Sequence, residues 1–336
     1  MRLAGYSSLV VVTAALCLSV LTSNLTAQQA PLPMGRTIGN ACTRNVVVPP
    51  PNPGQFGFPP LSPSTTTFEE PTELVKIRED VYAIVNVDNT VFPGIAMYGG
   101  NVAVYLTDEG VVLVDSKNEN MHDDIVAKVR SLTDAPIKYV VLTHNHADHS
   151  GGAARLQSLG ATVIISGADR EHMAAAGQPG GQRPELPQMT YDGHAEIVLG
   201  GKRVHLLEFC GHTSGDTVVY LPDARVVISG DLVTTPDSIP QITNYADGGN
   251  WTDMGRALDA LAMLDFDFMI GGHGPVLTKQ QFLEHREKIA AIRRRAQELV
   301  RDGRSDDEIG QALTAEFNWG TGPAAGNIPG MVREFQ

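Results

Sequence analysis

From about residue 74 the chain consists of short apolar runs, rich in β-branched residues, that alternate with turn signals. Gly99-Gly100 and Asp108-Glu109-Gly110 mark two of the turns, with residue types that reverse a chain at little steric cost. Short runs between such signals are typical of β-strands. The pattern predicts an opening set of antiparallel strands at residues 81–85, 102–106 and 111–115.

The middle of the chain mixes two periodicities. Residues 122–132 repeat apolar positions at helical spacing, and residues 137–142 form an almost continuous apolar run, which is typical of a strand buried on both faces. Strand and helix patterns then alternate as far as residue 271. Mixed strands with helices outside them predict a layered α/β architecture.

The last part of the chain has a helical pattern, at residues 279–301 and 305–317. Ser305 followed by Glu308 has the signature of a capping box. We expect residues 281–336 to be a helical C-terminal extension, which either roofs a functional site or forms a homodimer contact.

Residues 1–27 have the parts of a secretory signal peptide. Arg2 supplies a short positive region, an apolar stretch begins at Leu9, and Ala27 lies at a small-residue cleavage site. The stretch is shorter than the ~20 residues that a membrane-spanning helix needs. The mature protein is therefore predicted to be periplasmic or secreted, without membrane contact after cleavage near Ala27. Residues 28–72 are rich in proline and predict an extended leader.

Composition narrows the class of partner. The 336 residues carry a net charge of −13, which opposes binding to nucleic acid because phosphate recognition needs clustered Lys and Arg. We expect a small-molecule substrate. Beyond the predicted signal peptide only Cys42 and Cys210 remain, so one disulfide is possible and a disulfide framework is excluded. Cys210 lies two residues before His212 and is either a small buried residue or a thiolate ligand.

Ligand-type side chains follow directly on the apolar run that ends at residue 142. Within six positions the chain carries His144, His146, Asp148 and His149. Imidazole nitrogens and carboxylate oxygens suit Zn²⁺. Because consecutive residues of a loop point apart, the first two and the last two of these residues can serve different ions. The spacing therefore predicts a metal site at the edge of the sheet.

Three further residues of the same chemical types lie where such a site needs them: His212, Asp231 and His273. Each is predicted at a junction between strand and loop, and each has glycine beside it. Glycine allows the backbone to turn sharply and to approach an ion closely.

Together these segments resemble the metallo-β-lactamase superfamily in its dinuclear form, as in glyoxalase II, lactonases and related hydrolases. The resemblance covers about residues 75–280 and finds all the ligand-bearing segments in order. It implies an αββα sandwich of two mixed sheets with helices outside, in a domain of residues 73–280. Asp115 ends a strand where the family commonly places a carboxylate that orients a ligand; a plain strand-end cap is the alternative.

The resemblance also implies two Zn²⁺ ions per chain, which generate a metal-bridging hydroxide near neutral pH and polarise the substrate carbonyl. The implied activity is hydrolysis of a small ester, thioester, lactone or lactam. Asp148 and His149, which would hold the second ion, are the candidate catalytic residues. The implied metal ligands are His144, His146 and His212 for one ion, Asp148, His149 and His273 for the other, and Asp231 between them.

Other functions remain open. Export favours a broad class B β-lactamase, because cell-wall antibiotics act in that compartment, but β-lactamases with the second-site histidine usually lack an aspartate bridge such as Asp231. A mononuclear iron thiol dioxygenase would use part of the same ligand set. His146 argues against the flavodiiron relatives, which place a glutamate there. A metal-binding protein with an inactive site is disfavoured by the complete ligand set.

Overall fold

The computed structural model describes residues 42–43, 70–176, 185–235 and 239–336. The predicted signal peptide and nearly all of the predicted leader lie outside these residues. The chain folds into two facing β-sheets with helices packed outside them, which confirms the predicted layered α/β class.

The first sheet has seven strands among the described residues, and they lie side by side in the order of the chain. The first four strands pair antiparallel, and the second to fourth of them are the three that the sequence predicted to do so; the next three pair in parallel. The strands are β1 (Thr72–Lys76), β2 (Val81–Asn86), β3 (Val102–Thr107), β4 (Gly110–Val114), β5 (Ile137–Val141), β6 (Thr162–Ser166) and β7 (Met189–Tyr191).

Both faces of this sheet are buried. In β2, Val81, Ala83 and Val85 belong to the apolar cluster between the two sheets. Ile84 points the other way and packs in the outer cluster with Ile125 of a covering helix. Because successive side chains enter two different cores, the strands are continuous apolar runs instead of alternating apolar and polar positions.

The second sheet has six strands within the same ranges, and they too lie side by side in the order of the chain. One neighbouring pair is parallel and the others are antiparallel, so this sheet is mixed as well. Its strands are β8 (His194–Leu199), β9 (Lys202–Phe209), β10 (Asp216–Leu221), β11 (Val226–Thr234), β12 (Phe268–His273) and β13 (Leu277–Thr278).

The long helices match those predicted from the sequence. The short helices were not predicted, because their sequences show no clear helical periodicity. No helix in the described ranges is long and apolar enough to cross a membrane. A π-helical turn at Val91–Ile95 precedes the first of the helices. The helices are α1 (Ala96–Tyr98), α2 (His122–Leu132), α3 (Ala147–Ser150), α4 (Ala153–Ser158), α5 (Gly167–Ala176), α6 (Trp251–Ala262), α7 (Lys279–Arg301), α8 (Asp306–Phe317) and α9 (Ile328–Phe335).

The C-terminal helices pack on the side of the molecule that the second sheet forms. The predicted capping box is present at α8, where Ser305 and Glu308 each accept a hydrogen bond from the other's backbone N–H. The predicted start of the extension, residue 281, falls inside α7. Trp319, after α8, lies edge-to-face against Trp251 of α6, with ring centroids 5.2 Å apart. The extension is therefore anchored to the helix that follows β11.

A disulfide joins Cys42 to Cys210, directly after β9. Cys210 is fully buried and, being bonded to Cys42, is not a thiolate ligand. The backbone N–H and the hydroxyl of Thr43 both donate to the Asp253 carboxylate, each over 2.7 Å. The bridge thus fixes Cys42 and Thr43 beside the loop that carries His212.

Candidate metal centre

The three histidines of the predicted first site converge on one point. His144 and His146 follow β5, and His212 follows β9. Nδ1 of His146 lies 3.0 Å from Nε2 of His144 and 3.1 Å from Nε2 of His212. One ring nitrogen of each therefore faces a common centre. We call these residues the first cluster.

The second predicted group also comes together. Nε2 of His149 and Nε2 of His273 are 3.2 Å apart, and Oδ2 of Asp148 lies 3.6 Å and 3.3 Å from them. Asp148 and His149 lie in the single turn of α3 and not in an open loop, because the carbonyl of His146 accepts from the backbone N–H of residues 149 and 150. We call Asp148, His149 and His273 the second cluster.

Asp231 lies between the clusters. Its Oδ1 is 3.3 Å from Nε2 of His149 and 3.4 Å from Nε2 of His273, both in the second cluster. Its Oδ2 is 3.6 Å from Nε2 of His212 in the first cluster. The two oxygens of one carboxylate therefore face different groups of histidines.

The prediction that Asp231 lies at a junction between strand and loop is wrong, because β11 continues to Thr234. Gly230 has φ +52°, and the pairing of β11 with β12 shifts register on both sides of it. This irregularity turns a residue inside the strand toward the clusters. Gly272 approaches from β12, where a Cβ would lie 1.9 Å from Oδ1 of Asp231. The close approach that glycine was expected to allow is therefore present.

The arrangement fits metal ions. Around a tetrahedral Zn²⁺ with bonds of about 2.0–2.1 Å, neighbouring ligand atoms lie roughly 3.3 Å apart. The donor atoms above are separated by 3.0 Å to 3.6 Å. Oδ1 of Asp231 is buried, yet it makes no hydrogen bond of normal geometry with any residue that the structure describes. A buried carboxylate oxygen without a hydrogen bond is costly unless a cation compensates it.

Hydrogen bonds to the outer ring nitrogens direct the inner nitrogens at the clusters. Nδ1 of His149 donates to Oδ2 of Asp115 over 2.8 Å, so Asp115 orients a predicted ligand. Nδ1 of His144 contacts the hydroxyl of Thr143 over 3.1 Å, and that hydroxyl donates to the same carboxylate. A proton held on each Nδ1 leaves the Nε2 lone pair free for an ion.

The outer partners of the other two first-cluster histidines were not predicted. Nδ1 of His212 donates to the carbonyl of Ile242 over 3.1 Å, and Nε2 of His146 lies 3.1 Å from Oδ2 of Asp247. Both partners precede α6. Asn244 with Asp247 has the pattern of a short helix cap, and Asn244 does cap a 3₁₀ turn. Nothing local in the sequence marks these residues as neighbours of a ligand.

Charge differs between the clusters. Burial lowers the pKa of His144 well below its usual range and that of His212 to about 4, so both are neutral imidazoles. Burial also opposes protonation in the second cluster, but the carboxylate of Asp231 and its neighbours outweigh it and raise the pKa of His149 and of His273. In the first cluster the pKa of His146 is raised as well, because the hydrogen bond to Asp247 and the nearby carboxylates outweigh burial. An ion must therefore displace protons from two histidines of the second cluster and from one histidine of the first.

His194 begins β8 on the surface. Its Nε2 lies 3.2 Å from Nδ1 of His205, and the two rings are stacked. Neither belongs to a ligand group of three or more among the described residues. His194 therefore has no part in the candidate centre.

Curated relatives share this kind of domain. The chain is 23% identical over 253 residues to a linear primary-alkylsulfatase of a Pseudomonas strain, covering 60% of this chain and 47% of that protein. It is 26% identical over 172 residues to a metallo-β-lactamase type 2 of Elizabethkingia meningoseptica, covering 49% of this chain and 64% of that protein. The chain thus spans about half of the first relative and slightly less than two thirds of the second.

Solved structures share the fold. A metallo-β-lactamase from Pontibacter korlensis superposes with a TM-score of 0.55 at 22% identity, over 65% of this chain and 99% of that one. The family model of the metallo-β-lactamase superfamily matches residues 97–273. That match spans more than half of the 336 residues and runs from α1 to the last predicted ligand. The chain therefore belongs to the metallo-β-lactamase superfamily.

Proposed function

We propose that this chain is a zinc-dependent hydrolase that acts on a small ester, thioester, lactone or lactam. The observation that carries the proposal is the position of Asp231, whose Oδ1 lies 3.3 Å from one cluster and whose Oδ2 lies 3.6 Å from the other. One carboxylate shared in this way suits a pair of ions. When bound, Zn²⁺ would lower the pKa of water toward about 7 and polarise a substrate carbonyl.

In this proposal the first cluster holds one Zn²⁺ and the second cluster holds another, with Asp231 serving both. The set contains five imidazoles and two carboxylates, donors that suit Zn²⁺. Asp115 and Thr143 keep the imidazoles of His149 and His144 turned toward the ions.

The open side of the centre gives the direction of substrate approach. The side chains of His146 and Asp148 are 25% and 26% exposed, whereas those of His149, His212 and His273 are at most 3% exposed. A substrate therefore meets the centre between His146 and Asp148. Of the two candidate catalytic residues, Asp148 can touch the reacting atoms, while His149 acts only as a buried ligand.

The second candidate is β-lactamase activity, because the Elizabethkingia relative bears that name and the lactam is an acyl substrate of the same kind. The alkylsulfatase relative adds a sulfate ester to the substrates worth testing. We also propose export of the mature protein. The Cys42–Cys210 disulfide supports it, since disulfides persist in oxidising compartments.

The test combines metal content with a substrate panel. Mass spectrometry on the purified protein should find about two zincs per chain, and one substrate should turn over among nitrocefin, an acyl-homoserine lactone, S-lactoylglutathione, p-nitrophenyl esters and a primary alkyl sulfate. His146→Ala should lose the first ion and nearly all activity, whereas His194→Ala should retain the first ion and the activity. A single iron with oxygen uptake, or no hydrolysis at full zinc loading, would refute the proposal.

A further inference from the structure

One loop, residues 239–250, supplies outer hydrogen-bond partners to two of the three first-cluster histidines. The carbonyl of Ile242 accepts from Nδ1 of His212 over 3.1 Å. The carboxylate of Asp247 lies 3.1 Å from Nε2 of His146. His146 differs from its neighbours because it faces the cluster through Nδ1, so its outer nitrogen is Nε2.

The position of the proton on the His146 ring determines which neighbour acts as its hydrogen-bond acceptor. If Nδ1 holds an ion, the single proton of the neutral ring is on Nε2, and Nε2 needs an acceptor. Asn244 Nδ2 lies 2.7 Å from Nε2 but is a donor, because its Oδ1 accepts from the backbone of residues 246 and 247. Asp247 Oδ2 is the acceptor, and the Asn145 and Asn244 amides also donate to it, over 3.0 Å and 2.9 Å.

The loop does not hold this shape by itself. The side-chain amide of Asn327, just before α9, accepts from the backbone N–H of Thr243 over 2.8 Å and donates to its carbonyl over 3.0 Å. Trp319 Nε1 donates to the carbonyl of Gln241 over 2.8 Å. These bonds fasten the residues on both sides of Ile242 to the C-terminal segment.

The other end of the loop is fastened by α9. Glu334 is buried, and its Oε2 accepts from the Tyr245 hydroxyl over 2.8 Å and from the backbone N–H of Trp251 over 2.9 Å. Its Oε1 accepts from the backbone and the hydroxyl of Thr252. A single carboxylate therefore joins the loop to the first turn of α6, where the N-terminal backbone groups favour negative charge.

We propose that the C-terminal segment 319–335 is a positioning device for the first ion: through Asn327 and Glu334 it holds the 239–250 loop, and the loop holds His146 through Asp247 and His212 through Ile242. This inference rests on the proposed function for the identity of the ligand. It assigns the C-terminal extension a role in metal binding, and it makes Asp247 a positioning residue outside the ligand set.

The test measures metal affinity, not activity alone. The full chain, stripped with a chelator, is titrated with Co²⁺ in competition with a chromophoric chelator, and the cobalt absorption bands are followed. His146→Ala and Asp148→Ala give the reference spectra of the second and first clusters alone. Asp247→Ala should weaken the first ion by about 10–100-fold and leave the second within about twofold. Asp259→Ala, an exposed aspartate paired with Arg286, is the matched control and should change neither.

The C-terminal part of the proposal has its own variants. Asn327→Ala should weaken the same ion by several-fold. Tyr245→Phe removes only the hydroxyl that reaches Glu334 and should act in the same direction even if Asn327→Ala fails to fold. First-cluster affinity unchanged in Asp247→Ala and Tyr245→Phe, or equal weakening of both clusters, would overturn the inference while leaving the proposed function intact. A wild-type protein that binds fewer than two ions would instead refute the proposed function itself.

Discussion

The Cys42–Cys210 disulfide should contribute more to stability than any other single bond in the described part of the chain. It links residues 168 positions apart, so it closes a long loop in the unfolded chain. In the chain-entropy description the stabilisation grows with the logarithm of loop length and reaches about 5 kcal/mol for a loop of this size at 25 °C. Residual structure in the unfolded chain reduces that value, and we expect a loss of roughly 3–5 kcal/mol on removing the bridge.

The variant to make is Cys42→Ser, because Cys42 is only partly buried whereas Cys210 is fully buried. At roughly 2–4 °C per kcal/mol for a domain of this class, the melting temperature should fall by at least about 6 °C. The buried tryptophans Trp251 and Trp319 provide the fluorescence signal. The measurement is made on metal-free protein, since bound ions would add their own stabilisation.

Reduction provides the control. Wild-type protein treated with a reductant should melt at the temperature of Cys42→Ser, and the variant should be indifferent to the same treatment. A variant that melts together with the oxidised wild-type protein would refute the reasoning, because the bridge would then constrain nothing in the unfolded chain.

Two further predictions concern the centre. Gly272→Ala should reduce metal content, because its Cβ would lie 1.9 Å from Oδ1 of Asp231. The control is Gly303→Ala, where φ is +70° but no atom lies within 4 Å of the added Cβ. This control should lower stability and leave metal content unchanged. Cobalt affinity of the second cluster should rise more steeply with pH than that of the first. The pKa is raised for two histidines of the second cluster, His149 and His273, but for only one of the first, His146, so more bound protons must leave the second cluster. This competition weakens as pH rises. Titrations at about pH 6 and about pH 8 with equal slopes at both clusters would contradict this.

The sequence indicated the fold because its two cores leave a local signal. Val81 and Ala83 face the apolar cluster between the sheets, whereas Ile84 faces the outer cluster, and this gives β2 its continuous apolar character. The ligands were equally visible, since His144 to His149 lie within six positions and each later ligand is flanked by glycine. Their grouping into two clusters follows the predicted division, although their assignment as ligands stays a prediction until an ion is measured.

What the sequence did not reveal depends on contacts between distant segments. Asp247 reaches His146 across 101 positions, and Asn327 reaches Thr243 across 84. An aspartate in a short helical turn or an asparagine at the start of a helix has an ordinary local explanation. Asp231 was placed at a strand end because the glycine beside it indicated a turn, whereas Gly230 distorts a strand that continues.

The centre is assembled from segments that are far apart in the chain, and this couples its stability to its metal affinity. Cys42 and Thr43 brace the region of His212 and Asp253 from the N-terminal side, while Glu334 braces the 239–250 loop from the C-terminal side. If ions bind only the folded chain, they stabilise it by mass action, but a brace affects the affinity for the ions only where its loss changes the folded centre itself. Loss of the disulfide, which acts on the unfolded chain, should therefore lower the melting temperature and leave the first-cluster titration nearly unchanged, whereas loss of the Glu334 contact should weaken the first ion.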